Sequence, residues 1–114
     1  MSLTETNCAE ITIAGIARID RVVGVFEVWS DGTLPFAKFK VKVLERAGGE
    51  FLGTPNVAVR NLTTGEPEYV SGLGRTSEDA LTEAIKYFLE EARDHSPPTG
   101  LTETCFVWSA AEDF

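Results

Sequence analysis

A strict two-residue alternation between positions 37 and 43 constrains the fold most strongly. In the sequence AKFKVKV, apolar residues occupy the odd positions and lysines occupy the even ones. Successive side chains of a strand point to opposite faces of a sheet, so this pattern predicts a strand with one buried and one solvated face. The chain must therefore supply a sheet and an element that covers one side of it.

Further extended segments flank this strand. They are rich in β-branched and aromatic residues and are separated by short turn sequences, which is typical of antiparallel strands. The predicted strands cover residues 10–19, 22–30, 36–45, 51–60 and 67–71. Gly and Pro in the connections suit tight turns, so we expect consecutive strands to pair as a meander. Pro55 marks a bulge or an edge within its segment.

One helix is predicted from Ser77 to Asp94. Thr76 is a favourable N-cap, and acidic residues in the first turn suit the positive end of the helix dipole. The apolar residues recur at spacings of three and four and form one stripe, which is Ala80, Leu81, Ala84, Ile85, Phe88, Leu89 and Ala92. We expect this stripe to lie on the sheet and residues 102–110 to form a further extended segment after it.

These elements predict an α+β fold. We expect an antiparallel β-meander of four or five strands, with one helix packed across one face and a C-terminal extended segment. The 114 residues suffice for a single hydrophobic core. Residues 1–9 are polar and predict a flexible N-terminal lead, and residues 10–114 are predicted to form a single domain.

The composition is that of an ordinary globular protein, with 43% hydrophobic and 25% charged residues. No apolar run approaches the roughly 18 residues that span a bilayer, and the N-terminus lacks a basic region before an apolar stretch. We therefore expect a cytoplasmic protein without a membrane partner. Cys8 and Cys105 have no Cys or His neighbours at zinc-site spacing, which favours free thiols and predicts no metal site.

The charge distribution bears on the class of partner. The formal net charge is −8, which disfavours general affinity for nucleic acids or anionic membranes. Residues 21–60 carry six basic and four acidic residues, whereas residues 61–114 carry three basic and eleven acidic residues. The middle of the chain is therefore mildly basic and its C-terminal part strongly acidic.

Lys38, Lys40 and Lys42 form a candidate nucleic-acid face on the alternating strand. Sheets that bind RNA usually place aromatic side chains among such charges, and Phe36 is the aromatic residue that the strand itself offers. A solvated face whose charges prevent edge pairing is the simpler interpretation. Nucleic-acid binding is retained as an alternative hypothesis.

The sequence GRTSEDALTEAIKYFLEE resembles the helix start of HicB-like antitoxin domains. The pattern Gly-x-Thr-x-Glu-Glu-Ala is matched in register by Gly74, Thr76, Glu78, Asp79 and Ala80. The resemblance covers the helix region, residues 72–91. It implies a small antiparallel sheet followed by one helix, and a regulatory protein as the functional analogue.

The same region is similar to the second helix of double-stranded RNA-binding domains in its Gly-x-Gly turn and its Ala80/Ala84 spacing. In that family, basic residues at the helix start contact phosphates. The corresponding residues here are Ser77, Glu78 and Leu81. The resemblance therefore implies a related fold without RNA binding at this helix.

Uncovered apolar surface predicts a protein partner. One helix covers two or three strands, and segment 22–30 carries Val23, Val25 and Trp29 on one face and Val22, Phe26 and Val28 on the other. We predict a homodimer or a protein partner. The predicted partner interface is Phe26, Val28, Phe106 and Trp108.

No catalytic, cofactor-binding or metal-binding residues are predicted. His95, the single histidine, follows the helix and is expected to complement its dipole. The predicted function is a small non-enzymatic protein-interaction or regulatory module of HicB-like antitoxin type. The alternatives are a nucleic-acid-binding domain that uses the lysine face and a small-ligand-binding domain with an apolar pocket.

Overall fold

The computed structural model describes residues 11–114, which form seven strands and one α-helix. In chain order these are β1 (Arg21–Trp29), β2 (Lys38–Glu45), β3 (Phe51–Pro55), β4 (Val57–Arg60), β5 (Pro67–Glu68), β6 (Gly72–Gly74), α1 (Ser77–Asp94) and β7 (Phe106–Trp108). The first sheet has the order β1-β2-β3-β6 and the second the order β5-β4-β7, and all their pairs are antiparallel. The α+β fold class, with one helix across one face, is confirmed.

The local sequence signals are reproduced closely in α1 and β2. α1 has the predicted bounds, and the Thr76 hydroxyl accepts a hydrogen bond from the backbone N–H of Asp79 at 3.1 Å. In β2, Phe39, Val41 and Val43 are buried against α1, as the alternation predicts. We call this side of the first sheet the inner face and the opposite side the outer face.

The segment predicted as one strand over 51–60 is two strands in different sheets. β3 ends at Pro55, which has no N–H to continue a ladder. At the next residue, the Asn56 backbone N–H donates to the Lys40 carbonyl, and the Asn56 side-chain oxygen accepts from the Lys40 N–H, both at 2.9 Å. The Asn56 carbonyl accepts from the Ser109 N–H at 2.8 Å in the second sheet. Asn56 therefore links the two sheets.

The strand predicted over 10–19 does not form in the described part of that segment. Residues 11–20 contain a turn at 14–15, where Gly15 has φ of 90° and the Ile16 N–H donates to the Ile13 carbonyl at 3.1 Å. Regular pairing begins at Arg21. The described part of this β-branched segment has no pairing partner, and the turn at Gly15 interrupts it. Residue 10 and the lead 1–9 lie outside the described residues.

A bulge corrects the predicted faces of β1. Val22 lies opposite Leu44 whereas Gly24 lies opposite Val43, so Val23 is an extra residue in the strand. Val22 therefore shares the outer face with Val25, and the assignment of Val22 to the face of Phe26 was wrong. A single-residue insertion reverses all side-chain directions beyond it, and nothing in the local pattern indicates where it occurs.

Three glycines allow α1 to lie directly on the sheet. A Cβ at Gly53 would lie 2.6 Å from the Ala80 carbonyl oxygen, and a Cβ at Gly72 would overlap the backbone at Ala84. Gly74 is equally close to the start of the helix. The Gly-x-Gly sequence predicted as a turn is thus strand β6. Ala80 and Ala84 occupy the space that side chains at these glycines would fill.

An aromatic cluster fills the rest of the core and joins the two sheets. The Phe88 ring of α1 lies 4.8 Å from Phe39 of β2 and 6.0 Å from Phe106 of β7. Phe36 lies edge-on to Phe106 at 5.0 Å between centroids. Because the residues come from both sheets and the helix, one core unites residues 34–106.

The close approach of α1 predicts a large effect of Gly72→Ala. The added methyl group can fit only if the helix moves off the sheet, and we expect a loss of about 3 kcal/mol in the free energy of unfolding. Gly48→Ala is the matched control, because its Cβ would have no heavy atom within 4 Å, and it should change stability by less than about 0.5 kcal/mol. Urea denaturation measures both, and equal stabilities would contradict direct contact between α1 and β6.

Candidate protein-interaction surface

Among residues 11–114, strand β1 is an exposed edge of the first sheet. It has nine residues, whereas the other sheet edges in the described chain, β5, β6 and β7, have only two or three. Short edges offer little to an incoming strand, but a long one presents a row of backbone donors and acceptors. The bulge at Val23 interrupts only the beginning of β1. Beyond the bulge, no strand of the described part of the chain pairs with the outer edge of β1.

The inner face of β1 is poorly covered. α1 packs over β6 and β3 and, to a smaller extent, over β2. Beside it a groove of about 740 Å³ remains between α1, the C-terminal end of β1 and the loop that follows β1, and we call it the β1–α1 groove. Its apolar lining includes Val28, Leu34, Phe39, Ile85, Leu89 and Leu101. This groove can accept an apolar ligand or side chains from another protein.

The rim of the β1–α1 groove carries polar groups. The Thr33 backbone N–H donates to Asp31 at 3.0 Å, and the Thr33 hydroxyl also donates to it. The side-chain hydrogen bond first, and the backbone bond second, lower the pKa of Asp31, so its carboxylate stays ionised. Arg93 lies on the helix side of the rim. The groove thus has an apolar floor with charge of both signs at its edge.

The outer face places aromatic rings beside the predicted lysine face. The Lys38 ammonium lies 4.9 Å from the centre of the Trp29 ring, and the Lys42 ammonium lies 5.0 Å from that of Phe114. Lys38 is also bound to Glu27 at 3.1 Å, and Lys40 lies opposite Glu27 in the neighbouring strand. The three lysines therefore do share one face, accompanied by an acid and two aromatic residues.

An apolar row crosses the outer face next to the lysines. One side chain from each strand of the first sheet contributes, in the order Val22, Leu44, Leu52 and Leu73. Val22 and Leu73, at the two ends, are more than half exposed. Neither the bulge that brings Val22 into this row nor the pairing of β6 is visible in the sequence pattern.

The four predicted interface residues do not share one surface. Phe26 and Val28 project from the inner face of β1, where Phe26 is 37% exposed and Val28 lines the groove. Phe106 belongs to the core at 5% exposure. Trp108 is exposed on β7 in the second sheet. The sequence pattern predicts Phe26 and Val28 but not Ile85 and Leu89, which the helix stripe contains but does not distinguish from core positions.

His95 has a structural role at the end of α1. Its Nδ1 accepts a hydrogen bond from the Leu62 backbone N–H at 3.1 Å, and its Nε2 lies 3.3 Å from a Glu91 carboxylate oxygen. The Nδ1 contact attaches the 61–65 turn to the end of the helix, whereas Glu91 lies one turn earlier in α1 itself.

Neither a metal site nor a membrane helix occurs in residues 11–114. No group of three or more potential metal-ligating side chains is present there, and no helix in that range could span a bilayer. The Cys105 thiol, half-buried, lies 3.5 Å from the Thr102 backbone nitrogen. Cys8 lies outside the described residues, so its free thiol stays a prediction.

No protein-family model, curated protein or solved structure matches this chain. The resemblance of residues 72–91 to HicB-like and double-stranded RNA-binding domains therefore stays a hypothesis drawn from the sequence.

The β1–α1 groove predicts binding of an apolar dye. We expect native protein to enhance Nile red fluorescence and Leu89→Gln to reduce that enhancement severalfold, because Leu89 lines the groove and is 43% exposed. Leu62→Gln is the control, since Leu62 is 53% exposed but lies outside the groove lining. Both substitutions should change stability by less than about 0.5 kcal/mol. Unchanged dye binding in Leu89→Gln would show that the groove is closed in solution.

Proposed function

We propose that this chain is a small, non-enzymatic protein-interaction or regulatory module that binds a protein partner at β1 and the β1–α1 groove. The observation that carries the proposal is the coincidence of a long open strand edge with an apolar groove on the same strand. Strand addition obtains affinity from main-chain hydrogen bonds and specificity from side-chain pockets beside them. Both components are present at β1.

The regulatory form of the proposal follows the HicB-like resemblance. An antitoxin of this kind would be a cytoplasmic protein that holds a second polypeptide. The acidic C-terminal part of the chain suits a basic partner, because residues 61–114 carry eleven acidic residues against three basic ones. Glu78, Glu90 and Asp94 are exposed along α1 and can attract such a partner.

Native mass spectrometry of tagged protein isolated from its own host tests the proposal. We expect a second polypeptide chain bound in a fixed ratio. A Phe26→Ser/Leu89→Gln variant should lose it, because both residues contribute apolar surface beside β1. Leu62→Gln should retain it. Protein that stays a single unaccompanied chain, even at about 100 µM where weak complexes form, would reject an interaction module.

Nucleic-acid binding is the second candidate, favoured by the rings of Trp29 and Phe114 beside Lys38 and Lys42. Stacking aromatics with flanking cations are the usual means of holding single-stranded nucleic acid. Against this candidate stand the net charge of −8 and the ion pair that binds Lys38 to Glu27.

The salt dependence of oligonucleotide affinity tests the nucleic-acid-binding candidate. If the three lysines each neutralise a phosphate, the affinity for a fluorescein-labelled single-stranded oligonucleotide should fall with a log–log salt slope of about −2. Changing Lys38, Lys40 and Lys42 together to Glu should abolish the anisotropy change, whereas Lys86→Glu on α1 should leave it intact. Absent or salt-insensitive binding would exclude this role.

A small-ligand-binding domain is the third candidate, and the size of the β1–α1 groove favours it. About 740 Å³ lies within the usual range for small-molecule sites. A low-molecular-weight mass retained through native purification, and lost with Leu89→Gln, is the expected sign of this function. A bare chain mass would count against it.

A further inference from the structure

We propose that β1 pairs antiparallel with β1 of a second copy, with the two-fold axis at Phe26, so that two four-stranded sheets form one continuous sheet. This inference rests on the proposed function and names its partner as a second copy of the chain. It also specifies the register, which the charges and the hydrogen-bonding directions of β1 determine.

The backbone groups of β1 alternate between β2 and the open edge. The Ser30 N–H donates to the Ala37 carbonyl at 2.8 Å, so Ser30 and, by alternation, Val28 and Phe26 direct their polar groups at β2. Val25, Glu27 and Trp29 consequently direct theirs outward. An added strand must use these three residues.

Three symmetric registers are compatible with this alternation near the middle of β1. Centring on Glu27 places Glu27 directly opposite its copy, and like charges in that position are destabilising. Centring on Val25 brings the bulge at Val23 into the ladder. Centring on Phe26 avoids the like-charge pair and places the bulge only at the ends of the paired segment, where Val23 stands opposite Trp29 of the second copy. Val25 then exchanges its backbone hydrogen bonds with Glu27 of the second copy, and the symmetry repeats this exchange.

The Phe26 register also covers apolar surface that α1 leaves open. Phe26 projects from the inner face, is 37% exposed and would meet its copy in the closely spaced type of antiparallel pair. Its ring lies over Gly24, since a Cβ there would be 3.2 Å from the ring. Gly24 stands opposite Val28 of the second copy, so the absence of a side chain at Gly24 leaves room for both residues.

Charge favours a second copy at this surface. The chain as a whole carries −8, so most pairs of surfaces repel each other. Residues 11–29 carry two basic residues, Arg18 and Arg21, and two acidic residues, Asp20 and Glu27, and are therefore neutral. More than half of the large hydrophobic side chains exposed in residues 11–114 lie within this range. Charge repulsion therefore opposes self-association least at β1, and the burial of apolar side chains favours it most there.

Two substitutions of opposite charge at Val25 test both the dimer and its register. Sedimentation velocity measures the dimerisation of each variant. In the Phe26 register Val25 faces Glu27 of the second copy, so Val25→Glu should weaken dimerisation by about tenfold or more, since symmetry creates the like-charge pair twice. Val25→Lys should dimerise at least as tightly as the unaltered protein. Within one chain, Val25 lies opposite Lys42, so effects on monomer stability run in the reverse order.

Cysteine cross-linking provides a second readout in a Cys8→Ser/Cys105→Ser background. Mild oxidation should join Phe26→Cys protein into a covalent dimer faster than Val25→Cys or Glu27→Cys protein, because only residue 26 meets its own copy across the axis. Dimerisation that Val25→Glu and Val25→Lys weaken equally, or faster cross-linking at 25 or 27, would overturn the register.

The oligomeric state separates this inference from the proposed function. A monomer at about 100 µM overturns self-pairing. If that monomer still binds a host polypeptide that Phe26→Ser/Leu89→Gln releases, the interaction module stands with a different partner. If it binds none, both proposals fail.

Discussion

The contact between the α1 backbone and the glycines of β3 and β6 is the constraint on which the rest of the structure depends. Gly53 and Gly72 let Ala80 and Ala84 approach the sheet more closely than any side chain would permit. The helix is thereby drawn to the β3–β6 side of the sheet. β1 is left uncovered as a result, so the open edge and the β1–α1 groove follow from where the glycines stand.

Features set by neighbouring residues could be predicted from the sequence. The bounds of α1, its Thr76 cap and the alternation in β2 depend on side chains within a few positions of each other. The lysine face follows from the same alternation. Phe26 is 37% exposed and Val28 is half-buried against the core, and their part in a partner interface stays a prediction.

Features set by distant segments could not be predicted. The chain passes from the first sheet to the second at Asn56, where Lys40 and Ser109 are the hydrogen-bond partners. The bulge at Val23 becomes apparent only from the pairing of β1 with β2. Phe106 and Trp108 look alike in the sequence, but one is core and the other surface, because Phe88 lies against Phe106 only in the folded chain. Local patterns contain no information about such contacts.

Asn56 connects the two sheets through hydrogen bonds to both of them. Its backbone and amide oxygen hold the Lys40 backbone in the first sheet while its carbonyl holds Ser109 in the second. Together with the aromatic cluster around Phe88, these hydrogen bonds fix the position of β7 relative to β2. The lysine face and the strand near the C-terminus, far apart in the chain, are therefore held in a fixed arrangement.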